Sequence, residues 1–135
     1  LHRRERALYA LLLCCGSDGI NFSAPEKADA FDRYTRRMKR IQERYRVIYE
    51  MFGGAGDSAP DLAAPEIRRP IFSCLRRSLK NLQGLYNAED YNITKRGDGS
   101  FSVNVEPELV FVARPDSGNP VPLRDSEMYR RWAAI

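Results

Sequence analysis

The longest regular pattern of apolar positions along the chain lies between Ala30 and Phe52. Large apolar side chains recur there at alternating intervals of three and four residues, which is the spacing of one face of a long helix. This apolar seam consists of Phe31, Tyr34, Met38, Ile41, Tyr45, Ile48 and Phe52. Ser23 and Glu26 have the spacing of a capping box, and Pro25 suits a first helical turn. The pattern therefore predicts a helix from this point to about Phe52, where the sequence GGAG ends it.

Two shorter helices are predicted on either side of the long one. Residues 3–15 place Leu8, Leu11, Leu12 and Cys15 on one face, and the sequence GSDG ends this helix. Proline fits poorly inside a helix, so the main body of the third helix is placed between Pro70 and about Tyr86, with PEIRR as a separate turn before it. The apolar stripe of the third helix consists of Ile71, Leu75, Leu79, Leu82 and Tyr86.

The period changes from that of a helix to that of a strand after residue 90. The sequence YNITKRGDGSFSVNV alternates on both sides of a Gly-rich turn, which predicts a β-hairpin with a three-residue loop. Its candidate buried face consists of Tyr91, Ile93, Phe101, Val103 and Val105. ELVFVA, after Pro107, is predicted as a third strand and RPDSGNPVP as a loop. SEMYRRWAAI is predicted as a short helix capped by Asp125 or Ser126.

These elements predict an α+β fold. A three-helix N-terminal part with a long central basic helix is followed by a small antiparallel sheet, formed by the hairpin and the third strand, and by a short C-terminal helix. The chain has 135 residues, which is the length of one domain, and 43% of them are hydrophobic. We therefore expect a single domain over residues 1–135, helical over 1–86, with the hairpin, the third strand and the last helix over 87–135.

The cysteines and the single histidine exclude several classes of function. Cys14, Cys15 and Cys74 are an odd number with one adjacent pair, which is a poor disulfide framework, and His2 is the only histidine, so we expect no metal site and no cofactor. Reduced, mostly buried cysteines favour a cytoplasmic location. The apolar stretch of the first helix is too short to span a membrane, and we expect no membrane partner. The chain begins at Leu1 and not at a methionine, which leaves room for an upstream segment.

The positive charge is concentrated in the helical part of the chain. The net charge is +4, but residues 27–46 alone carry eight basic and three acidic side chains. Residues 64–86 carry five basic and one acidic side chain, whereas residues 87–135 carry six and eight. Arginine and lysine in such excess favour a phosphate-rich or carboxylate-rich partner. The alternative is a solvated helix face in which Asp32 and Glu43 pair with basic residues four positions away.

A basic helix followed at once by a hairpin resembles the recognition helix and wing of a winged-helix domain. The resemblance covers residues 65–113 and is one of architecture. It implies that Arg76, Arg77 and Lys80 face DNA, with Lys95 and Arg96 at the hairpin tip near the adjacent backbone. The second helix is longer than this architecture requires, and about ten residues replace the tight turn before the third helix. A plain hairpin packed on helices is the alternative.

We therefore expect a non-enzymatic nucleic-acid-binding domain, for DNA or RNA. Its contact residues are expected to be Arg33, Arg36, Arg37, Arg40, Arg44, Arg76, Arg77, Lys80, Lys95 and Arg96. The alternative is a protein-interaction, adaptor or inhibitor subunit that docks in a partner groove, or self-associates, through the seam of the long helix. That surface would consist of Phe31, Tyr34, Met38, Ile41 and Tyr45, which could equally be intramolecular core.

An enzyme, such as a small nuclease, is the least favoured class. Glu106 and Glu108 lie at the edge of a predicted strand, but that strand carries no lysine to complete a nuclease motif. The serines and cysteines lack a histidine partner within the folded part of the chain. We expect no catalytic residues.

Overall fold

The structure, a computed structural model, describes residues 2–82, 91–105, 107–113 and 118–135, and it has an α+β architecture. Within these ranges lie four α-helices, five short strands and several 3₁₀ turns. The helices are α1 (Arg3–Cys15), α2 (Phe31–Met51), α3 (Pro65–Leu82) and α4 (Glu127–Ala133). The strands are β1 (Ile20–Asn21), β2 (Ile93–Lys95), β3 (Ser100–Val103), β4 (Phe111–Val112) and β5 (Val121–Pro122).

The predicted β-hairpin is confirmed. β2 and β3 pair antiparallel, with Ile93 opposite Val103 and Lys95 opposite Phe101. The amide of Arg96 donates to the carbonyl of Ser100 over 2.8 Å, which closes a loop of three residues as the sequence GDG predicted. On the predicted buried face Ile93 and Val103 are buried, whereas Tyr91 is 50% exposed.

The third strand of this sheet differs from the prediction. β1, which follows α1, pairs antiparallel with β3 and gives the strand order β1-β3-β2. ELVFVA forms instead a 3₁₀ turn and the short strand β4, which pairs with β5 in a separate two-stranded sheet. The prediction failed because a two-residue strand, IN, is too short to show any alternation of apolar and polar positions.

The start of α2 was also predicted wrongly. The helix begins at Phe31 and not near Ser23, and Ser23 caps no helix. The chain between β1 and α2 is drawn into the core by Phe22, whose ring centroid lies 5.8 Å from that of Phe72 and 6.2 Å from that of Phe101. Burying this ring holds the segment beside β3, so the local capping signal is overridden by tertiary packing.

α3 is one continuous helix from Pro65 to Leu82, so the predicted break at Pro70 is wrong. Pro70 lies on the exposed side of the helix and costs it one backbone hydrogen bond. Burial of Ile71 and Leu75 on the opposite side offsets this loss. The predicted end of the helix at Tyr86 lies outside the described residues.

The core is built around α1, which packs against α2, α3 and β3. Leu8, Leu11 and Leu12 of α1 are fully buried, as predicted from the spacing of its apolar face. α4 packs on α2 and begins at Glu127; its N-cap is Ser126, whose side-chain oxygen accepts a hydrogen bond from the amide of Tyr129 over 3.1 Å. One of the two predicted caps for this helix is therefore confirmed.

Candidate nucleic-acid-binding cleft

A cleft of about 610 Å³ opens between the N-terminal half of α3, the hairpin and the segment that follows β1. Four basic side chains line it: Arg68, Arg69, Arg76 and Lys95. No acidic side chain is found among the described residues that line it. Aromatic rings supply much of the remaining wall: Phe22, Tyr34, Phe72 and Phe101. The cleft therefore combines concentrated positive charge with an apolar, aromatic lining.

The helical period of α3 places basic residues toward solvent and apolar ones toward the core. Arg69, Ser73, Arg76 and Lys80 follow one another at intervals of four, three and four residues, which is one stripe of a helix. All four side chains are exposed. Ile71, Leu75 and Leu79 form the opposite, buried stripe. The continuous helix through Pro70 is what brings Arg69 into phase with Arg76 and Lys80.

Arg68 is the most enclosed cation of the cleft. Its Nη1 donates a hydrogen bond to the carbonyl of Leu62 over 2.7 Å, and its guanidinium carbon lies 4.6 Å from the centroid of the Phe22 ring. Burial lowers the pKa of Arg68, although a guanidinium stays charged at neutral pH. It forms no ion pair within the described part of the chain, so this half-buried charge has no protein counterion there.

One aromatic ring, that of Phe101, contacts a cation from α3 and a cation from the hairpin. The guanidinium of Arg76 and the ammonium of Lys95 lie 5.7 and 5.6 Å from the centroid of Phe101. Phe101 is held in turn by Phe72, whose ring centroid is 4.6 Å away. Cation–π attraction therefore positions one basic side chain from the helix and one from the strand at the same place.

The hairpin tip has a largely structural role. Arg96 donates to the carbonyl of Asp18 over 2.6 Å and to the hydroxyl of Ser100 over 2.9 Å, which ties the hairpin to the turn after α1. Asp98 accepts hydrogen bonds from the hydroxyl and the amide of Ser100, and these bonds lower the pKa of its carboxyl. Of the two hairpin cations predicted to contact nucleic acid, Lys95 lines the cleft and Arg96 lies outside its lining.

The five basic residues of α2 that were predicted to contact nucleic acid divide into three groups. Arg33 and Arg36 are exposed and make no hydrogen bond or ion pair with described residues. Arg37 lies at the edge of the cleft, where it donates to the carbonyl of Ser23 over 2.9 Å. Arg40 and Arg44 contact the C-terminal segment: Arg40 donates to the carbonyl of Ile135 over 3.0 Å. The helix therefore does not present all five predicted residues to one ligand surface.

The apolar seam of α2, proposed as the alternative partner surface, lies largely in the core. Met38 and Tyr45 are buried, and the hydroxyl of Tyr45 donates to the carbonyl of Arg4 over 2.9 Å. Tyr34 and Ile41 are half-buried, whereas Phe31 is 53% exposed. Docking through the full set would require α2 to separate from the core.

Sequence reasoning missed Arg68 and Arg69 because PEIRR was interpreted as a separate turn. Had α3 been continued through Pro70, its period would have placed Arg69 with Arg76 and Lys80. The aromatic wall, in contrast, gives no local signal, since Phe22, Phe72 and Phe101 come from three distant segments.

The described residues contain no cluster of histidine, cysteine or acidic side chains suited to a metal ion. None of the described helices is both long and apolar enough to cross a membrane. No protein-family model, curated protein or solved structure matched the chain.

Proposed function

We propose that this protein binds nucleic acid without acting as an enzyme, and that it grips the phosphate backbone with α3 and the hairpin. One observation carries the proposal: four cations converge on a cleft whose described lining contains no acidic residue. The positive charges of such a surface repel one another unless a bound anion neutralises them, and the arginine guanidinium matches the geometry of a phosphate group.

The order of the elements supports the proposal. The elements follow one another in the order α1, β1, α2, α3 and the hairpin β2–β3. β1 pairs with β3, which gives a sheet of order β1-β3-β2. This order resembles that of a winged-helix domain, in which α3 is the recognition helix and the hairpin is the wing. Two departures remain, namely the 21-residue α2 and the long connection over residues 52–64.

The residues divide naturally into two roles in this proposal. Arg69, Arg76 and Lys80 form an exposed stripe along α3 and contact successive phosphates, and Lys95 contacts the same backbone from the hairpin. Arg77 lies beside this stripe on α3, and Arg37 lies at the edge of the cleft beside Ser23. With about five phosphate contacts, the logarithm of the association constant falls with the logarithm of the salt concentration at a slope of roughly −4 to −5.

Binding of the purified protein to labelled duplex DNA, single-stranded DNA and RNA tests the proposal, at about 50 and about 200 mM salt. The cleft variant Arg69→Glu/Arg76→Glu is compared with Lys39→Glu/Arg130→Glu, which changes the net charge equally with exposed residues outside the cleft lining. We expect salt-sensitive binding that the cleft variant loses and the control keeps. Equal binding by the two variants, or none by the wild type at low salt, would exclude this function.

A cytoplasmic location is part of the same proposal. All three cysteines are free thiols, and Cys14 is buried against apolar side chains of the core. Free, unpaired thiols are what a reducing compartment leaves in place. Quantitative recovery of three thiols from protein isolated under non-reducing conditions, with alkylation at lysis, is the expected result, and a recovered disulfide would contradict it.

A further inference from the structure

Arg68 lies deeper in the cleft than a residue that contacts only the phosphate backbone needs to lie. Phosphodiesters on the outside of a duplex or strand are reached by exposed cations, and Arg69, Arg76 and Lys95 are exposed. Arg68 instead lies half-buried behind them, against Phe22. A cation in this position meets a ligand group only if that group enters the cleft.

Donors for such a group are already in place. The guanidinium of Arg68 has five N–H donors, and one of them is bound to the carbonyl of Leu62. The hydroxyls of Ser23 and Ser73 also line the cleft and make no hydrogen bond to another described residue. The bond to Leu62 and the stacking on Phe22 fix the guanidinium, so little freedom is lost when an anion binds to it.

We propose that the cleft receives the phosphorylated end of a nucleic-acid strand, with the terminal phosphate against Arg68. This inference rests on the proposed function and specifies its ligand. A terminal phosphomonoester carries a charge of about −1.5 to −2 and three acceptor oxygens, whereas an internal phosphodiester carries a single charge. Its charge therefore suits a site with four cations better than one internal phosphate does.

The shape and the lining of the cleft agree with such a ligand. Its volume of about 610 Å³ lies within the range of about 300–1,000 Å³ that holds small organic ligands. Ala24, Ala63 and Pro65 form apolar wall beside the cations and give a terminal sugar and base a surface to pack on. A strand end can enter a concave site, whereas the interior of a duplex presents only its convex backbone.

The test compares single-stranded oligonucleotides of one sequence that differ in their ends. The DNA and RNA forms carry a 5′-phosphate, a 3′-phosphate or hydroxyls at both ends, and a ligated circle has no end. We expect one phosphorylated form to bind about tenfold more tightly than the hydroxyl form and the circle, equivalent to about 1.4 kcal/mol. Thymidine 5′-monophosphate and inorganic phosphate serve as competitors and should compete only at much higher concentration than the phosphorylated strand.

Two variants connect the end preference to the cleft. Arg68→Gln removes the enclosed charge, and Ser73→Asp introduces a carboxylate at an exposed lining position where packing is not disturbed. Both should reduce the preference to less than about twofold, while Lys39→Gln, at an exposed position outside the cleft lining, should keep it. If Arg68→Gln fails to fold, Ser73→Asp alone decides.

The possible failures are distinguishable. Equal binding of the two phosphorylated forms, the hydroxyl form and the circle, with loss of binding in Arg69→Glu/Arg76→Glu, overturns the end preference and leaves the proposed function intact. Competition by the mononucleotide at the same concentration as the strand also overturns it, because the ligand is then a free nucleotide. No binding of any oligonucleotide overturns both.

Discussion

The guanidinium carbon of Arg44 lies 4.1 Å from the centroid of the Trp132 indole ring. This contact joins the middle of α2 to α4, and burial lowers the pKa of Arg44. A neighbouring arginine, Arg40, donates a hydrogen bond to the carbonyl of Ile135. Part of the positive charge that distinguishes α2 in the sequence therefore holds the C-terminal helix in place. Among the described residues, exposed cations without an ion pair remain on α3 and the hairpin, and at Arg33 and Arg36 of α2.

Replacing Trp132 with alanine should destabilise the protein by loosening α4. The indole ring contacts Arg44 and lies 5.1 Å from the ring of Tyr129, so the variant loses a cation–π contact and a half-buried aromatic surface. We expect the free energy of unfolding to fall by about 2–3 kcal/mol. Urea denaturation measures it. Arg131→Ala is the control, because it removes only an exposed ion pair with Glu127 and should cost less than about 1 kcal/mol. Similar losses of stability in the two variants would contradict the role of Trp132.

Gly19 and Gly97 should respond oppositely to alanine. Gly19 has φ +67° and ψ −167°, which is a conformation open almost only to glycine, and a Cβ there would collide with the carbonyl of Phe101. Gly19→Ala should therefore cost at least about 1–3 kcal/mol of unfolding free energy. A Cβ at Gly97 meets nothing within 4 Å, so Gly97→Ala should change stability by less than about 1 kcal/mol. Thermal or chemical unfolding of the two variants measures both changes. Equal losses of stability would show that the close approach of β1 to β3 is not maintained.

The helices and the hairpin could be predicted from the sequence because their signals are local. The apolar face of α1, the GDG loop and the cap at Ser126 are each encoded within a few residues of where they act. The strand β1 and the start of α2 could not be predicted in this way. Both depend on the burial of Phe22 against rings that lie about 50 and 80 positions later in the sequence.

The candidate cleft was predicted only in part for the same reason. Arg76 and Lys95 were identified from their own elements, and the structure places both at the ring of Phe101. The count of basic residues alone favoured α2 as the contact surface. The sequence does not distinguish a basic side chain that binds a carbonyl or an indole from one that has no such partner. Arg40 and Arg44 are of the first kind, and Lys80, which pairs with no residue in the described ranges, is of the second.

The stability of the protein should fall in alkaline solution through its buried thiols. Burial raises the pKa of Cys14 to about 12 and that of Cys15 to about 11, from an ordinary value of 9.0. Above pH 9 the unfolded chain releases these protons while the folded protein retains them, so the unfolded state is favoured. We expect the free energy of unfolding to be constant up to about pH 8 and to decrease as the pH rises from about 9 toward 11–12.

Denaturant titrations at a series of pH values, with and without the two thiols, measure this effect. The variant Cys14→Ala/Cys15→Ala should lose less stability between about pH 8 and about pH 10.5 than the wild type does. Tyr9, whose pKa burial raises to about 12, contributes a further decrease from about pH 10 in both proteins. The same alkaline slope in wild type and variant would mean that the thiols do not control it.

If the proposed function is correct, removing one phosphate-binding cation of α3 should change the salt dependence of binding by the amount expected for one phosphate contact. Lys80 is exposed at the C-terminal end of the stripe and forms no ion pair with a described residue, so its ammonium is free to displace a counterion from a phosphate. Lys80→Gln should make the slope of log association constant against log salt concentration shallower by about 0.9 for duplex DNA. Lys39→Gln, which removes an equal charge from α2, should leave the slope unchanged, because its position faces away from Tyr34 and the cleft.

Fluorescence anisotropy at four or more salt concentrations gives both slopes. A decrease of the same size in both variants would assign the binding to net charge alone and not to the face formed by α3.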